Sequence, residues 1–205
     1  MPVHITSCAS LSKTAIITRL EKAAAIYNTE ENLQQSVGYR KAAVLVPLFC
    51  DNNEWNILFT RRTQEVQDHK GQVAFPGGAF EETDRSLVLT ALREAEEEIG
   101  IRQEDVEILG VLPTFPTISH YLVTPVVGVI KWPNIFKLAS QEVDRIFSIP
   151  LSWLTMNGHY REQWMRLSDG REGNVVFFKP YDGEVVWGIT GSITLNLMRI
   201  LALVN

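Results

Sequence analysis

Apolar residues recur at helical spacing near the start of the chain. Ile16, Leu20, Ala23, Ala24 and Tyr27 share one side, and Ser12 can cap the stretch, so a leading helix is expected within residues 10–28. Residues 40–49 form a near-continuous apolar and β-branched run, the pattern of a buried strand. Asp51-Asn52-Asn53 then turns the chain into a second strand over 55–61. A polar stretch at 63–70 and a short run at 72–75 stop at Pro76-Gly77-Gly78. Residues 84–99 carry a strong helical pattern, with Gly100 in the position that ends a helix. Strands are expected over 106–111 and 122–130, joined by a loop around 113–120. A short helix is expected over 141–147, leading to Pro150. Residues 164–167 and 174–179 flank Asp169-Gly170, a hairpin pair. A last strand is expected over 184–187, and an apolar helix over 190–203 closes the chain. Strands and helices intermix without a regular βαβ repeat. This predicts one domain spanning residues 1–205, of α/β (α+β) class, with a mixed sheet covered by helices on both faces.

Composition narrows the function. The 205 residues are 45% apolar and 21% charged, the values of an ordinary globular chain. Nineteen basic and 24 acidic residues leave a net charge of −5, which argues against a nucleic-acid partner held by phosphate contacts. The longest apolar stretches, 42–49 and 122–130, fall far short of the ~20 residues that span a bilayer. No hydrophobic signal core opens the chain, so the expected setting is cytoplasmic, away from membranes. Two cysteines are too few for a disulfide framework. Cys50, ending an apolar run, reads as a buried thiol in a reducing compartment.

The helix over 84–99 carries the chemistry. Val88, Ala91, Leu92, Ala95 and Ile99 form its core stripe. Glu94, Glu97 and Glu98 lie at i, i+3 and i+4 on another face, and Glu96 adds a fourth carboxylate. Like charges at these spacings destabilise a helix by roughly 0.2–0.5 kcal/mol per pair. Carboxylates in the last turn also oppose the helix dipole, by roughly 0.3–1 kcal/mol each. A divalent cation with hard oxygen ligands, Mg²⁺ or Mn²⁺, would remove both penalties. Taken alone, the acidic run reads more readily as a solvated face. The preceding Phe75-Pro76-Gly77-Gly78 changes the balance, because paired glycines let the backbone approach an ion or a phosphate. Arg93 sits beside the carboxylates and can orient one of them.

Gly78 followed by Arg93-Glu94-Ala95-Glu96-Glu97-Glu98-Ile99-Gly100-Ile101 closely resembles the Nudix box. That motif runs Gly, spacer, Glu, spacer, then Arg-Glu-apolar-x-Glu-Glu-x-Gly-apolar. The second half matches at every position. In the first half Asp84 stands where a Glu is expected, and the spacer to Arg93 is one residue longer. Leu58-Phe59-Thr60-Arg61-Arg62 and His69-Lys70-Gly71-Gln72-Val73-Ala74-Phe75-Pro76-Gly77-Gly78 are similar to the extra motif of the coenzyme A pyrophosphatase-like branch. Val123-Thr124-Pro125-Val126-Val127-Gly128, Glu142-Val143 with Ile149-Pro150-Leu151, and Trp187-Gly188-Ile189-Thr190-Gly191 are also similar to it. The resemblance covers about residues 40–195. Gln67 departs from it where the branch has arginine, and Thr63 where it has a small Ser or Ala. Gln67 keeps hydrogen bonding but lacks the charge and the bidentate fork.

The resemblance implies a Nudix α/β/α sandwich that hydrolyses a diphosphate linkage in a small-molecule nucleotide, with coenzyme A or acyl-coenzyme A the favoured class. Other nucleoside diphosphate derivatives, such as ADP-ribose, NADH or dinucleoside polyphosphates, are the alternative that Gln67 motivates. A non-catalytic ligand sensor is the alternative from another class, against which the intact Glu94, Glu97 and Glu98 speak. By the family pattern these three are metal ligands, with the Gly77 carbonyl as a backbone ligand, and Arg93 orients a carboxylate. The general base is a Glu of the box or Glu142, which reads equally as an exposed carboxylate near a short helix. Arg61 and Arg62 are candidate phosphate clamps or edge charges, and His69 contacts substrate or braces its loop. The closing helix reads as core or homodimer surface.

Overall fold

Strand β1 (Arg40–Asp51) sets the architecture, because residues 45–49 are buried beneath layers on both faces. A computed structural model describes residues 6–27, 38–64, 70–167 and 169–205. In it β1 turns at Asn52 and Asn53, both at positive φ, into the antiparallel β2 (Glu54–Arg62). Two consecutive positive-φ residues match the right-handed twist of a tight hairpin, and Asn tolerates that backbone. On its other side β1 runs parallel to β7 (Tyr121–Ile130), which pairs antiparallel with β5 (Val106–Val111). Strand β8 (Val143–Pro150) lines the outer edge of β2. The pairing of β1 with β2 stops at Leu48 and Ile57. Beyond it β3 (Val73–Ala74) pairs with β2, and β4 (Gly77–Ala79) pairs with β1. The two-residue β6 (Phe115–Pro116) adds to β7, completing a mixed eight-stranded sheet.

Alternation along β1 assigns its side chains to two cores. Ala43 and Leu45 meet Ala91 and Ala95 of helix α2 (Leu87–Ile99), and Phe49 packs with Ile99 and Ile101. Ala42, Val46 and Leu48 face the other way. They pack under Ile16 and Leu20 of α1 (Lys13–Tyr27) and Ile193, Leu197 and Met198 of α4 (Gly188–Ile200). The result is the expected α/β/α sandwich with a mixed sheet. After the short α3 (Leu151–Leu154), strands β9 (Tyr160–Arg166) and β10 (Glu172–Phe178) form the expected hairpin, and Val176 and Phe178 extend the α1–α4 core. No helix among the described residues is long and apolar enough to cross a membrane.

Three expectations are corrected. Residues 141–147 are not helical: Val143 begins β8, which pairs with β2 through Pro150. Residues 184–187 make only single bridges, Tyr181 to Glu184 and Phe177 to Trp187, before α4 begins. Cys50 is an exposed residue in a disulfide with Cys8. The bridge forms because the segment before α1 lies along the β1–β2 turn. Cys8 N–H donates to the Asn53 carbonyl at 3.0 Å, and the Trp55 indole donates to the Leu11 carbonyl at 2.7 Å. This pairing removes the free-thiol argument for a reducing compartment. Reducing the bridge frees a segment 42 residues distant in sequence, so dithiothreitol should lower unfolding stability by about 2–4 kcal/mol in urea titrations. Cys50→Ser should show the same loss and no further response to the reductant.

Candidate functional site

The site is built where α2 crosses β4. Ser86, with extended backbone, caps α2 by accepting the Leu89 N–H at 3.2 Å. Gly100 ends the helix at φ 73°, where its N–H reaches the Glu96 carbonyl. The helix therefore starts at Leu87, and Asp84 lies in the turn before it. That turn takes up the longer spacer. The Asp84 N–H donates to the Glu81 carbonyl, and Asp84 still meets Arg93.

Arg93 is the organising cation. Its Nε and Nη2 donate to the two oxygens of Asp84, each at 3.0 Å, as a bidentate fork. Nη2 also reaches the Ala79 carbonyl at 3.2 Å, tying α2 to β4. Nη1 donates to Glu94 at 2.9 Å and to Glu97 at 3.2 Å. Asp84 is buried and further held by the Thr90 hydroxyl at 2.9 Å. The Arg93 hydrogen bonds hold its carboxyl well below the usual carboxylate range, with the Glu81 N–H and Thr90 adding and burial opposing.

Glu94 and Glu98 turn inward. Glu98 is only 4% exposed, and Arg62 approaches it at 3.6 Å. Burial pushes the Glu98 carboxyl up to about 8 against the pull of Arg62; Glu94 and Glu142 raise it further, and the Gly77 N–H opposes. Glu94 is raised mainly by burial, opposed by Arg93, with Glu97 and Glu142 adding. The Glu142 charge thus raises both inward carboxylates, whereas Glu97 stays 60% exposed beside Arg93. The two glycines make this packing feasible. A Cβ on Gly78 would lie 2.4 Å from Glu94 Oε1, and one on Gly77 would lie 2.4 Å from the Ala43 carbonyl oxygen.

The expected substrate arginines separate. Arg62 faces the carboxylates, but Arg61, one residue earlier on β2, points to the other side. There it bonds Asp144 and also reaches Glu184 at 3.0 Å, and Arg145 shares that same buried Glu184 oxygen at 3.0 Å. Gln67 and His69 lie outside the described residues. Thr63 gains a role that its sequence setting only hinted at. Its N–H donates to the Glu142 carbonyl and its hydroxyl to the Gln141 carbonyl, both at 2.9 Å, bracing the start of β8.

Among the described residues no three His, Cys, Asp or Glu side chains already stand in a metal-ligating arrangement. The donor set nevertheless fits a hard divalent cation. The buried Glu98 and the partly buried Glu94 repel each other and Glu142, beside a glycine pair that lets them approach the β4 backbone.

Asp84→Asn keeps the shape but removes the charge from the fork, leaving Arg93 partly unpaired. It should destabilise the protein by about 3 kcal/mol at pH 7. Because the folded carboxyl is depressed, its stabilisation is present above the unfolded value near 3.9 and is lost as pH falls toward the folded value. The gap between parent and variant, read by urea unfolding, should therefore narrow below about pH 4.

The NUDIX domain family model matches residues 39–168. Over 158 residues the chain is 42% identical to the uncharacterized Nudix hydrolase NudL of Pectobacterium atrosepticum, covering 77% of this chain and 81% of that one. Over 164 residues it is 37% identical to NudL of Escherichia coli, covering 80% and 84%. The crystal structure of a MutT/nudix family protein from Enterococcus faecalis is similar in fold, with a TM-score of 0.50, 14% identity and coverage of 89% and 73%. With Arg93 and its carboxylates held as described, and with a family match over more than half its length, the chain belongs to the Nudix family and is a pyrophosphohydrolase.

Proposed function

We propose that Glu94 and Glu98, with Glu97 and the Gly77 carbonyl beside them, hold Mg²⁺ or Mn²⁺ for hydrolysis of a diphosphate in coenzyme A or an acyl-coenzyme A. The observation that carries this reading is the inward packing of Glu94 and Glu98, like charges set against the glycine pair, with Glu98 buried and Glu94 partly so. A Nudix hydrolase works with divalent metal ions, and the chemistry such an ion supplies is charge neutralisation at phosphoryl oxygens and activation of water. Arg93 holds Glu94 and Glu97 in place and is itself fixed by Asp84. Arg62 brings a guanidinium to the same pocket, where it can meet a phosphate oxygen. Glu142, exposed and across from the pair, is the candidate to take a proton from the attacking water, held there by Thr63. The coenzyme A assignment is supported by the motif resemblance across residues 40–195. Gln67 favours a second reading in which another nucleoside diphosphate derivative is the substrate.

A panel of coenzyme A, acetyl-coenzyme A, ADP-ribose, NADH and diadenosine tetraphosphate, assayed with Mg²⁺ and with Mn²⁺, separates these readings. Highest kcat/KM on the coenzyme A members is expected, and equal or poorer turnover of them would overturn that substrate class. Glu98→Gln should abolish hydrolysis of every member. Its melting temperature without metal should match or exceed that of the parent above about pH 8, where the parent carries a buried charge that the neutral amide lacks.

A further inference from the structure

A cavity of about 470 Å³ opens between the first turn of α4, the β9–β10 hairpin and the turn before β7. Its described lining carries no charged side chain. Three large apolar residues left partly exposed elsewhere unexplained, Ile118 at 41%, Trp187 at 39% and Ile189 at 36%, converge on it. Val175 adds to the apolar wall, and the polar part of the lining is neutral, with the Gln72 and Asn174 amides, the latter donating from Nδ2 to Glu162 at 2.7 Å. Exposed apolar side chains gathered around one concavity are the mark of a ligand site rather than of ordinary surface.

Hydrogen bonds through the backbone at Gln72 and Val73 link the cavity to the strand that carries Arg62. The Thr190 hydroxyl, on the cavity wall, donates to the Val73 carbonyl at 3.0 Å. The Gln72 carbonyl, one residue earlier, accepts the N–H of Arg62 at 3.0 Å, and the Arg62 guanidinium meets Glu98. One strand spacing, about 5 Å, thus separates the backbone of a cavity residue from that of the arginine facing the carboxylates. Resting on the proposed reading of that site, we infer that this cavity receives the uncharged end of the substrate beyond the diphosphate. The occupant is an amide-bearing arm ending in an apolar acyl group. A charged second nucleotide or a sugar phosphate would meet no countercharge in the described lining, and burying such groups unpaired is unfavourable. A neutral amide-bearing arm carries no charge to be left unpaired there, and its apolar tip finds Ile118, Trp187 and Ile189.

The test uses Ile118→Asp and Ile189→Asp in the full chain. Both side chains are partly exposed. The turn around Ile118 is braced by its neighbours, with the Tyr121 N–H donating to the Thr117 hydroxyl at 2.9 Å. Ile189 lies in the first turn of α4, where an acidic residue favours the helix. The fold should therefore survive in both, as circular dichroism and melting temperature will show. Each variant should raise KM for hexanoyl-coenzyme A about tenfold at unchanged kcat, raise it less for coenzyme A, and leave ADP-ribose unaffected. A hexanoyl-pantetheine fragment, which lacks the diphosphate, should bind the parent and not the variants in saturation-transfer NMR. Equal effects on all substrates, no effect on any, or no fragment binding by the parent would overturn the inference. If the parent hydrolyses no diphosphate at all, the reading of the carboxylate site falls, and the fragment titration still decides the cavity on its own.

Discussion

The bidentate fork between Arg93 and Asp84 is the contact on which the site depends. One guanidinium joins the turn before α2, the β4 backbone and two carboxylates of the helix. Its strength comes from geometry and from burial. Both Asp84 oxygens are engaged by the fork, and the Thr90 hydroxyl and Glu81 N–H also donate to Oδ2. A buried ion pair with every polar atom satisfied holds one arrangement and disfavours others. With Arg93 so fixed, Glu94 is directed toward Gly78, and Glu98, one turn later, toward Gly77 and Arg62.

Much of this was legible in the chain. The i, i+3, i+4 spacing of Glu94, Glu97 and Glu98 placed three carboxylates together, and the absent basic residues in the last turn marked them as costly to the helix. Spacing alone did not distinguish the three. Glu98 is buried and Glu97 is mostly exposed because α2 packs Ala91, Ala95 and Ile99 on the sheet, which rotates Glu98 toward β4. The Nudix-box resemblance anticipated Asp84 as the acidic residue of its first half. The link to Arg93 became evident only with the Glu81–Asp84 turn and the Ser86 cap in place.

What was misread has a physical cause in each case. In residues 141–147 the apolar positions Val143, Ile146 and Phe147 fall at helical spacing. The segment is a bulged strand: the register shifts between Arg61 and Arg62, so Val143 packs with Ile146 in the core beneath α2, while Phe147 and Ile149, in phase with Arg145, pack in the α1–α4 core. Arg145 is tolerated there because it lies over the Phe147 ring and is neutralised by Glu184 and Asp182. The sequence around Glu184 predicts a strand, yet Glu184 is drawn into the Arg61 and Arg145 network and makes only a single bridge. The disulfide had no local signature, because Cys8 reaches Cys50 only once the leading segment lies against the β1–β2 turn.

The division of charge between the two faces of β2 follows from the same alternation. Successive side chains of a strand point to opposite sides, so adjacent arginines meet different surroundings. Arg61 is consumed by Asp144 and Glu184, which lock β2 to β8 and to the segment before α4. Arg62 approaches a carboxylate at 3.6 Å, a looser contact that leaves its guanidinium available to an anion. A chain of net charge −5 can therefore receive a polyanion locally. In the proposed function a cation held by the acidic side chains, together with the arginine beside them, would make the local field opposite to the global one.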